Sequence, residues 1–143
     1  MAASTVHISI AVFKGDPVDC PRYRHTSLFV TFAGKDLSLI VHVVGPPGEF
    51  EFDTQVGYDP SQDLSLAKLV EVGPLSVEST RDQITQILRR VPIENEDHEF
   101  NCQTWVEGAL KKFRELGMLT SALYAQGLDD MVDVIAEAKD EEY

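Results

Sequence analysis

Residues 25–44 read HTSLFVTFAGKDLSLIVHVV and contain two largely apolar runs separated by a short polar segment. Within residues 25–32, and again within residues 37–44, the side chains are rich in β-branched and aromatic types and follow a two-residue period, which is typical of strands. Residues 33–36, AGKD, include the glycine that favours a tight turn. The stretch therefore predicts an antiparallel hairpin that turns around Gly34-Lys35, so that Leu28 pairs with Val41.

The two faces of this hairpin differ in character. The face expected to lie in the core consists of Thr26, Leu28, Val30, Phe32, Leu37, Leu39, Val41 and Val43. The other face consists of His25, Ser27, Phe29, Thr31, Ser38, Ile40, His42 and Val44. On this mixed face His25 lies opposite Val44, and His42 is its diagonal neighbour at about 7–8 Å between backbones. Two imidazoles are therefore expected to share one surface of the sheet.

The other elements follow from the same periodicities and from turn and cap residues. They are a strand at Val6–Phe13, a short strand at residues 49–53, and helices at residues 79–91, from Cys102 to about residue 117, and at residues 128–138. Residues 45–48, GPPG, and the polar residues 57–64 are expected to be loops, where specificity for a ligand commonly resides. The sequence thus predicts an α+β fold with an antiparallel sheet packed against helices.

Composition limits the classes of function. The 143 residues fit one domain, expected over residues 1–143 with an acidic tail from about residue 139. A net charge of -12 argues against nucleic acid as a partner, because phosphate binding needs clustered cations. No export signal or membrane span is visible, so we expect a soluble, cytoplasmic protein in which Cys20 and Cys102 stay reduced.

Cys102 is the candidate nucleophile of this chain. Asn101 is a natural helix N-cap, so Cys102 falls in the first turn of a helix, where free backbone N–H groups and the helix dipole favour a thiolate. His25 could act as its general base, with His42 orienting or polarising His25. We therefore expect a pair formed by a thiol and an imidazole between this helix and the hairpin.

Other interpretations of these residues stay open at this point. A cysteine on an apolar helix face usually serves packing, and a strand histidine is often a structural hydrogen-bonding residue. A zinc site built from Cys102, His25, His42 and His98 is conceivable, but the chain has no paired-ligand spacing such as CxxC or HxxxH. His98 in its acidic loop is more typical of a solvated imidazole. No cofactor and no metal are therefore expected.

Two short strings resemble a known group of proteins. Residues 24–29, RHTSLF, followed much later by residues 100–106, FNCQTWV, resemble the circularly permuted papain-like and NlpC-like thiol enzymes. The similarity is to the lecithin:retinol acyltransferase-like group, with its Asn-Cys-Glu-His-Phe-Val motif, to the desumoylating isopeptidases, and to small fungal proteins that share Asn-Cys-Gln-x-Trp-Val. This resemblance implies a fold in which the histidine strand precedes the cysteine helix, with Cys102 as nucleophile, His25 as base and His42 at the third, polar position.

Three functions are compatible with this pattern. The first is a cysteine-dependent hydrolase or acyltransferase acting on an acyl, amide or peptide substrate, in which the backbone N–H of Cys102 helps to hold the oxyanion. Tyr23, Gln103 and Trp105 are the expected substrate contacts. The second is a non-catalytic papain-like module whose acidic surface binds a basic partner. The third is a tailoring enzyme of small-molecule biosynthesis that uses the same dyad.

Overall fold

The computed structural model describes residues 2–139, and these contain one antiparallel sheet and three α-helices. The strands are β1 (Val6–Phe13), β2 (His25–Phe32), β3 (Leu39–Val44), β4 (Glu51–Val56) and β5 (Leu66–Pro74). They lie in the order β4-β3-β2-β1-β5. The helices are α1 (Arg81–Arg89), α2 (Cys102–Glu115) and α3 (Ser121–Ala136), and short 3-10 turns occur at Pro21–Tyr23 and Pro60–Gln62. The predicted α+β class is confirmed.

The predicted register of the β2–β3 hairpin is confirmed, whereas its tight turn is wrong. Leu28 pairs with Val41, and Phe29 with Ile40. Residues 33–38 join the two strands, so the connection is longer than the predicted four-residue turn. At both ends of this connection the backbone forms hydrogen bonds with residues outside the hairpin. The Ala33 N–H bonds to the carbonyl of Thr5, and the Ser38 carbonyl accepts from Gly57.

The apolar face of the hairpin forms the centre of the core, as predicted, with one exception. Leu28, Val30 and Val41 are fully buried. Leu37 instead lies 60% exposed, because β3 begins only at Leu39. Helix α2 packs on β2 and β3, and α3 packs on β5. One face of the sheet is therefore covered by helices, while His25 and His42 lie on the other.

Strand β5 is missing from the sequence-based prediction. It pairs antiparallel with β1 along its length, with register shifts at Ile8/Ser9 and Val12/Phe13. It is an edge strand that carries Lys68 and Glu71, so its alternation is weak. Strand β4 was predicted at residues 49–53 and lies at Glu51–Val56, two to three residues later.

The helix starts follow from their caps. Helix α1 begins after Thr80, which forms a capping box with Gln83, and the predicted start at residue 79 is wrong because Ser79 pairs with Ser4 in a β-bridge. Helix α2 begins at Cys102, as predicted. Helix α3 begins at Ser121 behind the cap of Thr120, seven residues before the predicted start.

Within residues 2–139, no helix combines the length and the apolar character that a membrane crossing requires. The predicted acidic tail begins at about residue 139, and residues 140–143 lie outside the described residues.

Candidate active site

Cys102 occupies the first position of α2, and its surroundings follow from the cap of that helix. The Asn101 side-chain oxygen accepts hydrogen bonds from the backbone N–H groups of Gln103 (2.9 Å) and Thr104 (3.1 Å). The Thr104 hydroxyl in turn accepts from the Asn101 N–H at 3.2 Å. Among the described residues, no oxygen atom accepts a hydrogen bond from the Cys102 N–H, which together with the Gln103 N–H acts to lower the pKa of the Cys102 thiol. A donor beside the sulfur is what an oxyanion-binding site requires.

Cys102 and His25 line the same open cavity of about 500 Å³. One wall is aromatic, since Phe50 and Phe100 meet edge to face with ring centroids 5.8 Å apart. Tyr23, which was predicted to contact substrate, also lines this cavity and is 38% exposed. The cavity is large enough for a small-molecule or peptide group, and Cys102 is among the residues that line it.

The sulfur of Cys102 lies against the backbone on both sides of His25. Its Sγ is 3.9 Å from the carbonyl oxygen of Arg24, and the backbone N–H and hydroxyl of Thr26 both act to lower its pKa. Burial acts in the opposite direction and dominates, so the pKa of the Cys102 thiol is raised. The expected activation of the thiol by the helix start is therefore outweighed by desolvation.

The Thr26 hydroxyl has an unusual position in this arrangement. Thr26 is fully buried, and its Oγ1 has no hydrogen-bond partner of ordinary geometry. It nevertheless favours the ionised form of Cys102. A buried hydroxyl of this kind gains a strong partner only when the sulfur becomes a thiolate, because a charged acceptor strengthens the hydrogen bond.

The two imidazoles meet on the opposite face of the sheet, as the register predicts. His25 Nε2 lies 2.9 Å from His42 Nδ1, and His42 Nε2 lies 2.9 Å from Asp53 Oδ2. The Ser27 hydroxyl is 2.8 Å from His42 Nδ1 and 3.2 Å from His25 Nε2. A continuous hydrogen-bonded chain thus runs from the Asp53 carboxylate to His25.

His25 is a neutral imidazole at physiological pH. Burial lowers the pKa of His25 to about 4, and a positive charge on His42 acts in the same direction whenever that ring is protonated. Within residues 2–139, no hydrogen bond joins the sulfur of Cys102 to His25. Cys102 and His25 both line one cavity, but they form no preformed ion pair, because the sulfur lies beside Thr26 whereas the His25 ring bonds with His42 on the other face of the sheet.

Neither Gln103 nor Trp105, the other expected substrate contacts, lines the cavity of Cys102. The Gln103 side-chain amide donates to the carbonyl oxygens of Pro21 and Arg24, each at 3.1 Å. Both of its N–H groups are used to fix the start of α2 to the segment that leads into β2. Trp105 is fully buried in the core, where the centroid of its ring lies 6.2 Å from that of Phe52. It lines neither the cavity of Cys102 nor a second cavity, which is lined by His25, Ser27 and His42 among other residues.

The segment before β2 is held by a buried arginine. Arg24 forms two hydrogen bonds of 2.8 Å with the Asp19 carboxylate and donates to the Val134 carbonyl at 2.6 Å. The Arg24 guanidinium lowers the pKa of Asp19 to about 2. This pair fixes the backbone that carries both Arg24, which contacts the sulfur, and His25.

Asp53, Thr26 and Ser27 were not singled out by sequence reasoning. Asp53 could have been found by extending the hairpin logic through the Gly45–Gly48 turn, because His42 and Asp53 are a cross-strand pair. Ser27 and Thr26 carry no motif of their own. Among residues 2–139, no group of three or more His, Cys, Asp or Glu side chains could hold a metal ion.

Comparison with curated proteins and with solved structures gave no match. One family model matches residues 15–120, a span that includes β2, β3, β4 and all of α2, and hence the cavity of Cys102 and His25. Because this match covers most of the chain, the protein belongs to the family of unknown function DUF6540.

Proposed function

We propose that this protein is a cysteine-dependent acyl-transfer enzyme of the permuted papain-like kind, with Cys102 as nucleophile and His25 as general base. One observation carries the proposal: a cysteine at a capped helix start and a histidine at the start of a strand line the same cavity. The chain order, with the histidine strand before the cysteine helix, is that of the permuted arrangement. His42 fits its third, polar position, since it contacts His25 directly.

The reaction begins from the neutral pair. His25 takes the proton of the Cys102 thiol as the sulfur attacks the acyl carbon, so the S–C bond forms while the thiol loses its proton. The tetrahedral oxyanion accepts a hydrogen bond from the backbone N–H of Cys102. When it collapses, the bond to the leaving group breaks and His25 returns the proton to that group, which leaves an acyl group on Cys102.

The acceptor determines the overall reaction. Water, deprotonated by His25, hydrolyses the acyl-enzyme, whereas an amine or alcohol takes the acyl group and makes the protein an acyltransferase. Amides, peptides and thioesters share the required carbonyl chemistry. A reducing, cytoplasmic compartment suits this function because a nucleophilic thiol must stay reduced, and both cysteines are free.

The test is acylation by a panel of activated thioesters, followed by peptide mapping in a mass spectrometer. We expect an acyl group on Cys102, none in Cys102→Ser, and slower formation in His25→Gln. Cys20→Ser is the matched control, because Cys20 is a buried thiol outside the cavity and its loss leaves the reaction intact. The absence of acylation at Cys102 with every thioester would remove the proposal.

A non-catalytic binding module is the second candidate, and two observations favour it. No sulfur–imidazole hydrogen bond is formed within residues 2–139, and burial raises the pKa of Cys102. In that case the cavity and the net charge of -12 would serve recognition of a basic partner. A Cys102 that resists both thioesters and alkylation throughout the pH range in which the fold is stable would favour this function.

A further inference from the structure

Asp53 is placed beside the imidazole pair by the sheet itself. It lies on the edge strand β4 and is the direct cross-strand partner of His42. Its Oδ2 is 2.9 Å from His42 Nε2, and the side chains of His42 and Asp53 are 12% and 40% exposed. The contact thus joins a nearly buried imidazole to a carboxylate that keeps access to solvent.

When both rings are neutral, the hydrogen-bond chain fixes the position of each ring hydrogen. An ionised carboxylate only accepts hydrogen bonds, so Nε2 of a neutral His42 carries the hydrogen and its Nδ1 carries the lone pair. His42 Nδ1 lies 2.9 Å from His25 Nε2, so His25 Nε2 must donate. The lone pair of His25 is then on Nδ1, the nitrogen that can accept a proton.

Ser27 does not select between the two tautomers. Its hydroxyl lies within hydrogen-bond distance of both His42 Nδ1 and His25 Nε2, and it can either donate or accept. Without a carboxylate at His42 Nε2, the hydrogen of His42 could move to Nδ1 and be donated to His25 Nε2. His25 Nδ1 would then carry the hydrogen and could not act as a base.

We propose that Asp53 is a positioning residue that acts through His42 to hold the lone pair of His25 on Nδ1. The tautomer follows from this geometry whenever both rings are neutral. Its consequence for catalysis rests on the proposed function, in which His25 takes the proton of Cys102. The low pKa of His25 supports the assignment, because a tautomer is defined only for the neutral ring.

The first test measures the tautomers directly. Protein labelled with ¹⁵N-histidine is studied by long-range ¹H–¹⁵N correlation NMR at about pH 8, above the ordinary histidine pKa of about 6.5. We expect His25 to show a hydrogen on Nε2 and a free Nδ1, and His42 to show a hydrogen on Nε2. In Asp53→Ala the nitrogen frequencies of His25 should shift towards the opposite tautomer.

Two further variants keep the result interpretable. Asp53→Asn is nearly isosteric and carries the test if Asp53→Ala does not fold, because its amide can donate to His42 and so allows the opposite tautomer. Glu51→Gln is the matched control: Glu51 lies two residues earlier on the same strand, pairs with Val44, and is exposed. Its substitution should leave both imidazole spectra unchanged.

Acylation of Cys102 by the activated thioester gives a second readout. Since general-base catalysis contributes about 10²–10⁴-fold, we expect roughly a tenfold to hundredfold lower rate in Asp53→Ala. If no form of the protein is acylated, the proposed function fails while the NMR result stands by itself. A wild-type His25 with its hydrogen on Nδ1, or an unchanged His25 tautomer in both Asp53 variants, overturns the role of Asp53.

Discussion

Replacing Thr26 by valine should stabilise the fold and at the same time weaken the thiolate of Cys102. Thr26 is fully buried, and its hydroxyl has no partner of ordinary geometry while Cys102 is a neutral thiol. An unsatisfied buried polar group costs about 1–3 kcal/mol, and valine replaces it with a methyl group of similar shape. Since the sulfur offers the hydroxyl a weak acceptor, we expect a gain at the lower end, about 1 kcal/mol.

The same substitution should slow alkylation of Cys102. The Thr26 hydroxyl is one of the groups that lower the pKa of this thiol against the effect of burial. Without it the pKa rises further, so less thiolate is present at any given pH and iodoacetamide reacts more slowly. The gain in stability and the loss in reactivity have a single cause, which is the unpaired hydroxyl beside the sulfur.

Two assays check this prediction. Urea unfolding should show the gain of about 1 kcal/mol, and the melting temperature should rise by roughly 3 °C. Mass spectrometry follows iodoacetamide labelling of Cys102 from about pH 7 to about pH 10, a range that includes the ordinary thiol pKa of about 8.5. Thr31→Val, the same change at a half-buried position of β2, is the control. A destabilised Thr26→Val protein with unchanged labelling of Cys102 would refute the reasoning.

Two further predictions concern the cap of α2 and the pH dependence of stability. Asn101→Ala should lower the free energy of unfolding by about 1 kcal/mol and change the iodoacetamide labelling of Cys102. Thr120→Ala, at the cap of α3, should lower the free energy of unfolding by a similar amount and leave the labelling of Cys102 unchanged. Thermal unfolding measures the first effect and mass spectrometry the second. Because the pKa of His25 is about 4 when folded and about 6.5 when unfolded, the unfolded chain binds more protons between these values, so stability should fall as the pH is lowered from about 6.5 to about 4. In urea unfolding at several pH values His25→Gln should flatten this fall, and His98→Gln, at an exposed position, should not; an equally steep fall in His25→Gln would contradict the shift.

The parts of the fold that could be predicted from sequence are those with a clear local signal. The β2–β3 register follows from a two-residue period on both strands, and the start of α2 follows from the Asn101 cap. Strand β5 has charged residues within an edge strand, and α3 contains Gly127 in its middle, so both patterns are weaker. A Cβ atom at position 127 would lie 3.1 Å from the Val72 side chain, so the glycine lets α3 pack closely on β5.

The hairpin register predicts which side chains of the candidate site meet, but not the electrostatics of the site. The contact between His25 and His42 follows from alternation within two strands. The pKa of Cys102 does not, because it depends on the balance between burial and the first turn of the helix. The burial of Trp105 also does not follow from the motif. Trp105 lies three positions after Cys102 on α2, where the helix faces the core.

The position of His25 at the first residue of β2 is what joins the two halves of the site. Successive side chains of a strand point to opposite faces, and here Thr26 faces the sulfur of Cys102 while Ser27 faces His42. A histidine further along β2 would lie on one face of the sheet only. At the strand start, His25 lines the cavity of Cys102 and also the second cavity, beside His42. The proposed catalysis by Cys102 and the proposed tautomer control by Asp53 therefore both depend on where this strand begins, which the Arg24–Asp19 pair holds in place.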